Sequence, residues 1–265
     1  MNRQDIYTQV GERYGSAAKS SNATYSTHIA RAFGYSNEDL ESVPKDANLG
    51  LSCGTPLAIA SLKEGETVID LGSGAGLDVF LSANMIGLTG KAIGDMLAKA
   101  RKLKADRNMA NVKFIKSRIT DIALQDGIAD CIISNCVINL VPHDDKQQVF
   151  NEMYRLLKLG GRVAISDILA KKPLSDDIRN NMALYVGCIA GASQVSEYEE
   201  YLRRAGFTDI LITDTKSDLN VYIDNSAGGC CSAVGNMAAD LKGQDLNEWA
   251  ADIRVLGSFK IYAVK

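Results

Sequence analysis

An aspartate leading directly into a glycine-rich turn is the first chemistry-bearing feature of the chain: Val68-Ile69-Asp70-Leu71-Gly72-Ser73-Gly74-Ala75-Gly76-Leu77-Asp78. Glycines let a backbone approach a ligand closely, and the helix that such a turn opens offers free N–H groups at its start. The dinucleotide fingerprint G-x-G-x-x-G is not met, because its third glycine, counted from Gly72, falls at Leu77. A carboxylate two residues ahead of the first glycine also sits badly beside a pyrophosphate. It suits a cationic ligand, and S-adenosylmethionine carries both an ammonium and a sulfonium. A tight βα turn without ligand is the alternative; the preceding strand and Asp70 favour the ligand.

The second feature is a set of six cysteines, at positions 53, 131, 136, 188, 230 and 231. No C-x-x-C pair occurs and the only histidines are His28 and His143, which gives a structural zinc site poor support. A cytosolic chain of this length keeps its thiols reduced and needs no disulfide staples, so free thiols are expected. Cys131 falls inside an apolar strand and reads as a core thiol. Cys136, at the strand end in Ser134-Asn135-Cys136-Val137-Ile138-Asn139-Leu140, is read the same way. Asn135 and Asn139 are either turn and cap residues or hydrogen-bond partners of a cofactor. Cys188 and the vicinal Cys230-Cys231 lie in glycine-rich surroundings rather than in strands.

These residues need a scaffold, and the patterning supplies one. The chain has 265 residues, enough for a large buried core. Its 29 basic and 32 acidic residues give a net charge of −3, which lacks the positive field of a nucleic-acid binder. Hydrophobic content of 46% argues against global disorder. No apolar run approaches the roughly 20 residues of a membrane span. Met1-Asn2-Arg3-Gln4-Asp5 has no apolar segment behind it, so no signal peptide is expected and the cytoplasm is the expected location. A helix is predicted over 2–14, a loop over 15–27, and another loop over 48–55 with Thr55 as N-cap and Pro56 as first helical residue. Strands are then predicted at 67–71, 91–94, 112–115, 131–134 and 161–167, with helices at 76–85, 96–107 and 146–157. Apolar strands alternating with helices indicate βαβ units and a parallel sheet covered on both faces. Ser196 with Glu199 reads as a capping box for a helix ending at Ala205-Gly206, and late strands are predicted at 210–213 and 258–264.

Five strings carry a family resemblance: Asn48-Leu49-Gly50-Leu51-Ser52-Cys53-Gly54, the turn from Asp70 to Gly76, Ser134 to Leu140, Gly160-Gly161-Arg162-Val163-Ala164-Ile165-Ser166-Asp167, and Gly187-Cys188-Ile189-Ala190-Gly191-Ala192. Together they resemble the arsenite methyltransferases that use S-adenosylmethionine. The resemblance implies a Rossmann-like, seven-stranded α/β methyltransferase fold with a C-terminal metalloid-binding region. It divides the chain into an N-terminal helix and loops (1–54), a cofactor-binding methyltransferase domain (55–170) and an arsenic-binding region that completes the sheet (171–265). It implies Asp70, Leu71, Gly72, Ser73, Gly74, Asp95, Met96, Ile119, Thr120 and Asn135 as cofactor residues. It implies Cys53, Cys188 and one of Cys230 and Cys231 as the thiolates that hold trivalent arsenic and present it for methylation. Soft thiolates select soft centres. Three of them leave a pyramidal arsenic whose lone pair attacks the sulfonium methyl, so positioning supplies most of the catalysis and no general base is needed. Arsenite and methylarsenite are the implied substrates, detoxification the implied role, and a glutathione- or thioredoxin-type reductant the implied partner of a monomer. A methyltransferase of another small molecule, such as a sterol or quinone, and a non-catalytic arsenic binder are the alternatives; Leu77 disfavours a dehydrogenase.

The chain departs from the resembled pattern in three places. The N-terminal loop Ser20-Ser21-Asn22-Ala23-Thr24-Tyr25-Ser26-Thr27 carries no cysteine, where the family has one that exchanges disulfides with the position of Cys53. Ile119-Thr120 stands where the family has Ile-Glu near the adenine. The connection Gly94-Asp95-Met96-Leu97-Ala98-Lys99-Ala100 is several residues short, so Asp95 is asked both to end a strand beside the ribose and to cap the next helix. The capping role is the expected one, which leaves the ribose site empty and predicts a weak methyltransferase.

Overall fold

The computed structural model describes residues 1–19, 22–95, 98–222 and 255–265. Met96, Cys230 and Cys231 lie outside the described residues. Among the described residues no helix is long and apolar enough to cross a membrane.

The frame is a seven-stranded sheet in the order β3-β2-β1-β4-β5-β7-β6. Its strands are β1 (Thr67–Leu71), β2 (Lys91–Asp95), β3 (Val112–Ile115), β4 (Ala129–Asn135), β5 (Leu157–Ala170), β6 (Thr208–Asp214) and β7 (Leu256–Val264). The first five are parallel to one another, and β7 runs antiparallel between β5 and β6. Alternate residues of the central strands face opposite ways, and both faces are apolar. Val68, Cys131, Ile133 and Ala164 pack on one core, whereas Ile69, Leu71, Ile132, Val163 and Ile165 pack on the other. Helices α5 (Leu77–Ile86) and α6 (Ala98–Arg107) cover the first face; α7 (His143–Leu156) and α10 (Val195–Ala205) cover the second. The chain leaves β1 towards β2 and β3, then returns to place β4 on the other side of β1. Strand order therefore reverses between β1 and β4, and in open α/β sheets the crevice beyond such a reversal is where ligands sit.

Several local expectations give way to the structure. The segment 15–27 is largely helical, with α1 spanning Arg3–Ala17 and α2 spanning Ala23–Ala32; Asn22 caps α2 by accepting from the backbone of Thr24 and Tyr25. Asparagine in a polar stretch is as good a helix start as a loop residue, and here it starts a helix. After α3 (Asn37–Ser42), α4 is the short Leu57–Ala60, preceded by Pro56 and without a side-chain cap from Thr55. The capping box of α10 is formed by Gln194 and Glu197, two residues earlier than Ser196 and Glu199. Glu197 accepts from the backbone of Gln194 at 2.7 Å, which fixes the start. Two further short helices, α8 (Asp176–Arg179) and α9 (Met182–Val186), lead into Cys188.

Asp95 is the last residue of β2, its Cα in register with Ile115 of β3, and α6 begins at Ala98. The sheet ladder holds the backbone of Asp95 in the strand, and residues 96–97, which join it to α6, lie outside the described residues.

Candidate active site

Asp70 is the penultimate residue of β1 and is buried. Beyond Leu71 the chain turns through Gly72, Gly74 and Gly76, with φ of 69°, 55° and 100°, a left-handed region that L side chains rarely adopt. Gly72 and Gly74 are required for different reasons. A Cβ on Gly72 would lie 2.6 Å from Val137, so this glycine is needed for packing. A Cβ on Gly74 would meet only the Leu49 methyl at 3.8 Å, so the space beside Gly74 is open. Gly76 precedes α5 with no side-chain cap, leaving the helix N-terminus to face the turn with its N–H groups.

A cleft of about 80 Å³ runs along this turn. Asp70, Gly72, Ser73 and Gly74 form one wall, and Asn135, Cys136 and Val137 from the end of β4 form the other. A second, narrower cleft shares Asp70 and Gly72 and continues over Leu71, Gly94 and Ile119. The structure therefore gathers most of the sequence-predicted cofactor residues along one continuous groove. Thr120 is in the following turn and does not line it, and Met96 lies outside the described residues.

Asn135 ties the groove together. Its side-chain amide donates to the Gly54 carbonyl at 2.9 Å, the Tyr35 hydroxyl at 2.8 Å and the Asp78 carboxylate at 3.1 Å, while its oxygen accepts from the Cys53 backbone at 3.2 Å. Tyr35 in turn donates to Asp78 at 2.7 Å. Burial pushes the Asp78 carboxyl up to about 6, against the two donors that favour its charged form. Tyr35 and Asp78 are site residues that sequence reasoning missed. Asp78, a charged residue in the first turn of an otherwise apolar helix, was the available signal.

The sulfur atoms fall into two groups. Cys131 is buried in the first core, and burial pushes its thiol up to about 12, as expected of an inert core thiol. Cys53, Cys136 and Cys188 share a separate buried cluster beyond the end of the sheet. Cys53 and Cys136 are joined as a disulfide, with Cα atoms 5.7 Å apart. This corrects two expectations: the thiols are not all free, and Cys136 is not merely core packing, because it also lines the glycine-turn cleft. The physical reason is that the chain after Thr55 builds β1, β2 and β3 on one side before β4 returns next to β1 and brings Cys136 beside Cys53, a proximity that spacing in sequence cannot show. The Cys188 thiol points at the Cys136 carbonyl at 3.2 Å and lies 3.4 Å from the Tyr14 hydroxyl. Cys136 and Cys188 both have left-handed backbones, with φ of 58° and 64°, a strained state for residues other than glycine.

A buried carboxyl backs the disulfide. Asp167 of β5 lies with the two sulfur atoms in one group whose atoms are all within 4.8 Å of each other. Its carboxylate accepts from the Asn139 amide and the Ile168 backbone, each at 2.9 Å, so Asn139 serves this acid rather than a cofactor. Burial pushes Asp167 up to about 7. Lys146, also buried, donates to the carbonyl of Gly191 and to Ser193, and burial pulls it down to about 8.

Residues 62–206, more than half of the chain, match the family model described as a methyltransferase domain. The chain belongs to the methyltransferase-domain family. Its seven-stranded sheet is the Rossmann-like fold of that family. The chain is 44% identical over 184 residues to an arsenite methyltransferase of Halobacterium salinarum, a match that covers 68% of this chain and 46% of that protein. It is 31% identical over 248 residues to the arsenite methyltransferase of Mus musculus, covering 85% of this chain and 65% of the relative. Among solved structures it is similar to an arsenic(III) S-adenosylmethionine methyltransferase from Chlamydomonas reinhardtii, with a TM-score of 0.57, 26% identity, and 89% and 72% of the two chains covered. The chain spans about half the length of the first curated relatives it matches. The methyltransferase-domain match includes Asp70, Asn135, Cys136, Asp167 and Cys188, whereas Cys53 lies ahead of it.

Proposed function

We propose that this chain transfers methyl groups from S-adenosylmethionine to thiolate-bound trivalent arsenic, with arsenite and methylarsenite as substrates and detoxification as the role. One observation carries the reading: a buried cluster of three cysteines abuts the glycine-turn cleft, and Cys136 belongs to both. The relatives named as arsenite methyltransferases support it.

The residues of the groove fit the cofactor. Asp70 supplies a buried carboxylate for a cationic amino acid end, and the open space at Gly74 admits a ligand against the backbone. When bound, S-adenosylmethionine supplies an electrophilic methyl group on a positively charged sulfur. Asp95 stands at the end of β2, where the family places the acid that holds the ribose. The thiolates hold trivalent arsenic by soft–soft bonding and leave its lone pair for attack; forming the As–C bond oxidises arsenic by two electrons, which the thiol reductant returns. Holding the two reactants in line is worth up to about 7–11 kcal/mol of the barrier, so no general base is required. A thiol reductant of the glutathione or thioredoxin type is the proposed partner, because Cys53 and Cys136 must be opened before they bind anything. The proposed setting is the cytoplasm, and the proposed working unit is the monomer.

The deciding experiment incubates the reduced protein with arsenite and methyl-labelled S-adenosylmethionine and separates arsenic species by chromatography with mass detection. Labelled methylarsenicals are expected. Cofactor binding and arsenite binding without any methylated product would reject catalysis and leave a binding protein.

A further inference from the structure

We propose that Lys146 is a positioning residue for the substrate site: its buried ammonium latches the loop 187–193 onto helix α7, and that latch sets where Cys188 stands for binding trivalent arsenic. The role deepens the arsenic reading and rests on it. Lys146 itself lines neither cleft of the cofactor groove.

Lys146 is the fourth residue of α7 and is only 1% exposed. An ammonium this deep is costly unless its N–H groups meet acceptors, and an apolar side chain of the same volume would fill the space without that cost. Packing alone therefore does not account for a lysine here. Its Nζ donates to the Gly191 carbonyl and, at 2.8 Å, to the Ser193 hydroxyl. Both acceptors lie in the loop that follows α9 and carries Cys188.

Other anchors hold the near end of that loop. The Tyr185 hydroxyl donates to the Val141 carbonyl at 2.8 Å, and the Asn139 amide donates to the Cys188 carbonyl at 3.4 Å. Gly191 rests directly on the Asn139 backbone, where a Cβ would collide with the carbonyl oxygen. These anchors all come from residues 139–146, a stretch that begins three residues after Cys136. One stretch of chain thus places the segment from Tyr185 to Ser193 relative to Cys136, and the Cys188 thiol ends 3.2 Å from the Cys136 carbonyl. Cys188 has a φ of 64°, a strained state that persists only where its surroundings hold it. Without the Lys146 ammonium the loop loses its hold just beyond this residue. The Cys188 thiol then leaves its place, whereas the groove, built on the ends of β1 and β4, keeps its shape.

The test is a double-mutant cycle on the full, reduced chain, read by isothermal titration with arsenite. Lys146→Met keeps an unbranched stem and removes the ammonium. Two charge-assisted hydrogen bonds are lost, and the Kd for arsenite should rise by about tenfold or more. The affinity for S-adenosylmethionine, titrated in parallel, should stay unchanged. In a Cys188→Ser background the same substitution should add nothing further, because the thiol that Lys146 positions is gone. A lysine that merely supports the fold would weaken both backgrounds alike. Ser193→Ala removes one acceptor, keeps the lysine and should give the same pattern at smaller amplitude; it decides the matter where Lys146→Met does not fold. Unchanged arsenite affinity in the variants that fold, or an equal loss with and without Cys188, overturns the proposal. The two readings fail separately. Arsenite methylation with an affinity indifferent to Lys146 removes the latch and keeps the activity. Affinities that follow the cycle, without any methylated product, keep the latch and remove the activity.

Discussion

The backbone amide of Cys53 donates to the side-chain oxygen of Asn135 at 3.2 Å, across 82 residues of sequence. Through this bond the end of β4 holds the loop that carries the first thiol, and the same side chain lines the glycine-turn cleft. Positioning of sulfur and positioning of cofactor are thus linked in one residue.

Asn135→Ala removes that link. It leaves the Gly54 carbonyl and the Asp78 carboxylate without a shared buried donor. Neutral hydrogen bonds contribute about 0.5–1.5 kcal/mol and charged ones about 1.5–3, so a loss of about 2–4 kcal/mol is expected. At about 2–4 °C per kcal/mol for a domain of this size, the melting temperature should fall by about 5–15 °C. A thermal melt unchanged within error would show that Asn135 is not a hub.

The glycines of the turn should separate by readout. Gly72→Ala drives a methyl group to 2.6 Å from Val137 and should cost about 1–3 kcal/mol of stability by overpacking. Gly74→Val projects into open space, so beyond the backbone strain that a left-handed valine also brings, it should abolish binding of S-adenosylmethionine. Calorimetry with the cofactor, run beside thermal melts of both variants, checks this; normal affinity in Gly74→Val would make the turn purely structural.

Asp78 gives a pH signature. Its folded pKa, about 6, lies above the ordinary 3.8, so folding favours the protonated form. Its contribution to stability is fully present below about pH 4 and is lost as pH rises through about 6. Tyr35→Phe removes a donor to the carboxylate and should move the titration further up. Carbon-detected NMR of the labelled carboxyl measures the midpoint; a value near 4 in the unaltered chain would contradict the burial argument.

Asp95 now carries a sharper expectation. With its backbone in β2, Asp95→Ala should weaken the cofactor rather than the fold. Charge-assisted hydrogen bonds of about 1.5–3 kcal/mol each correspond to a rise in Kd of about tenfold to a hundredfold. A loss of melting temperature with unchanged affinity would assign Asp95 the capping role instead. Inserting Val-Asp-Met-Thr-Pro after Gly94 tests whether the short connection limits turnover; already high, unchanged methylation in the parent would show that it does not.

The free cysteines should behave unequally. Cys188→Ser should weaken arsenite binding strongly. Cys131→Ser should lower stability and leave binding intact, because Cys131 is packed in the core on β4. Isothermal titration with arsenite on the reduced variants, beside a thermal melt of each, gives both answers, and equal affinity after Cys188→Ser would remove that residue from the site.

What the sequence determined by itself was local or periodic. Apolar runs such as Val68-Ile69 and Cys131-Ile132-Ile133 predicted β1 and β4, and the glycines after Leu71 predicted the ligand turn, because strand burial and left-handed backbone are written in adjacent residues. Boundaries were less legible: Asn22 and Gln194 start helices through local capping hydrogen bonds that neighbouring polar residues could equally have made. Only the tertiary structure decided the thiol site. Cys53 and Cys136 are 83 residues apart, and their contact exists because β4 inserts beside β1 and β5 carries Ser166 and Asp167 behind them. The same insertion turned Asn135 from a strand-end residue into the tie between cofactor groove and sulfur loop. Such proximity follows from strand order, and strand order is set by the packing of the whole sheet rather than by any local run of residues.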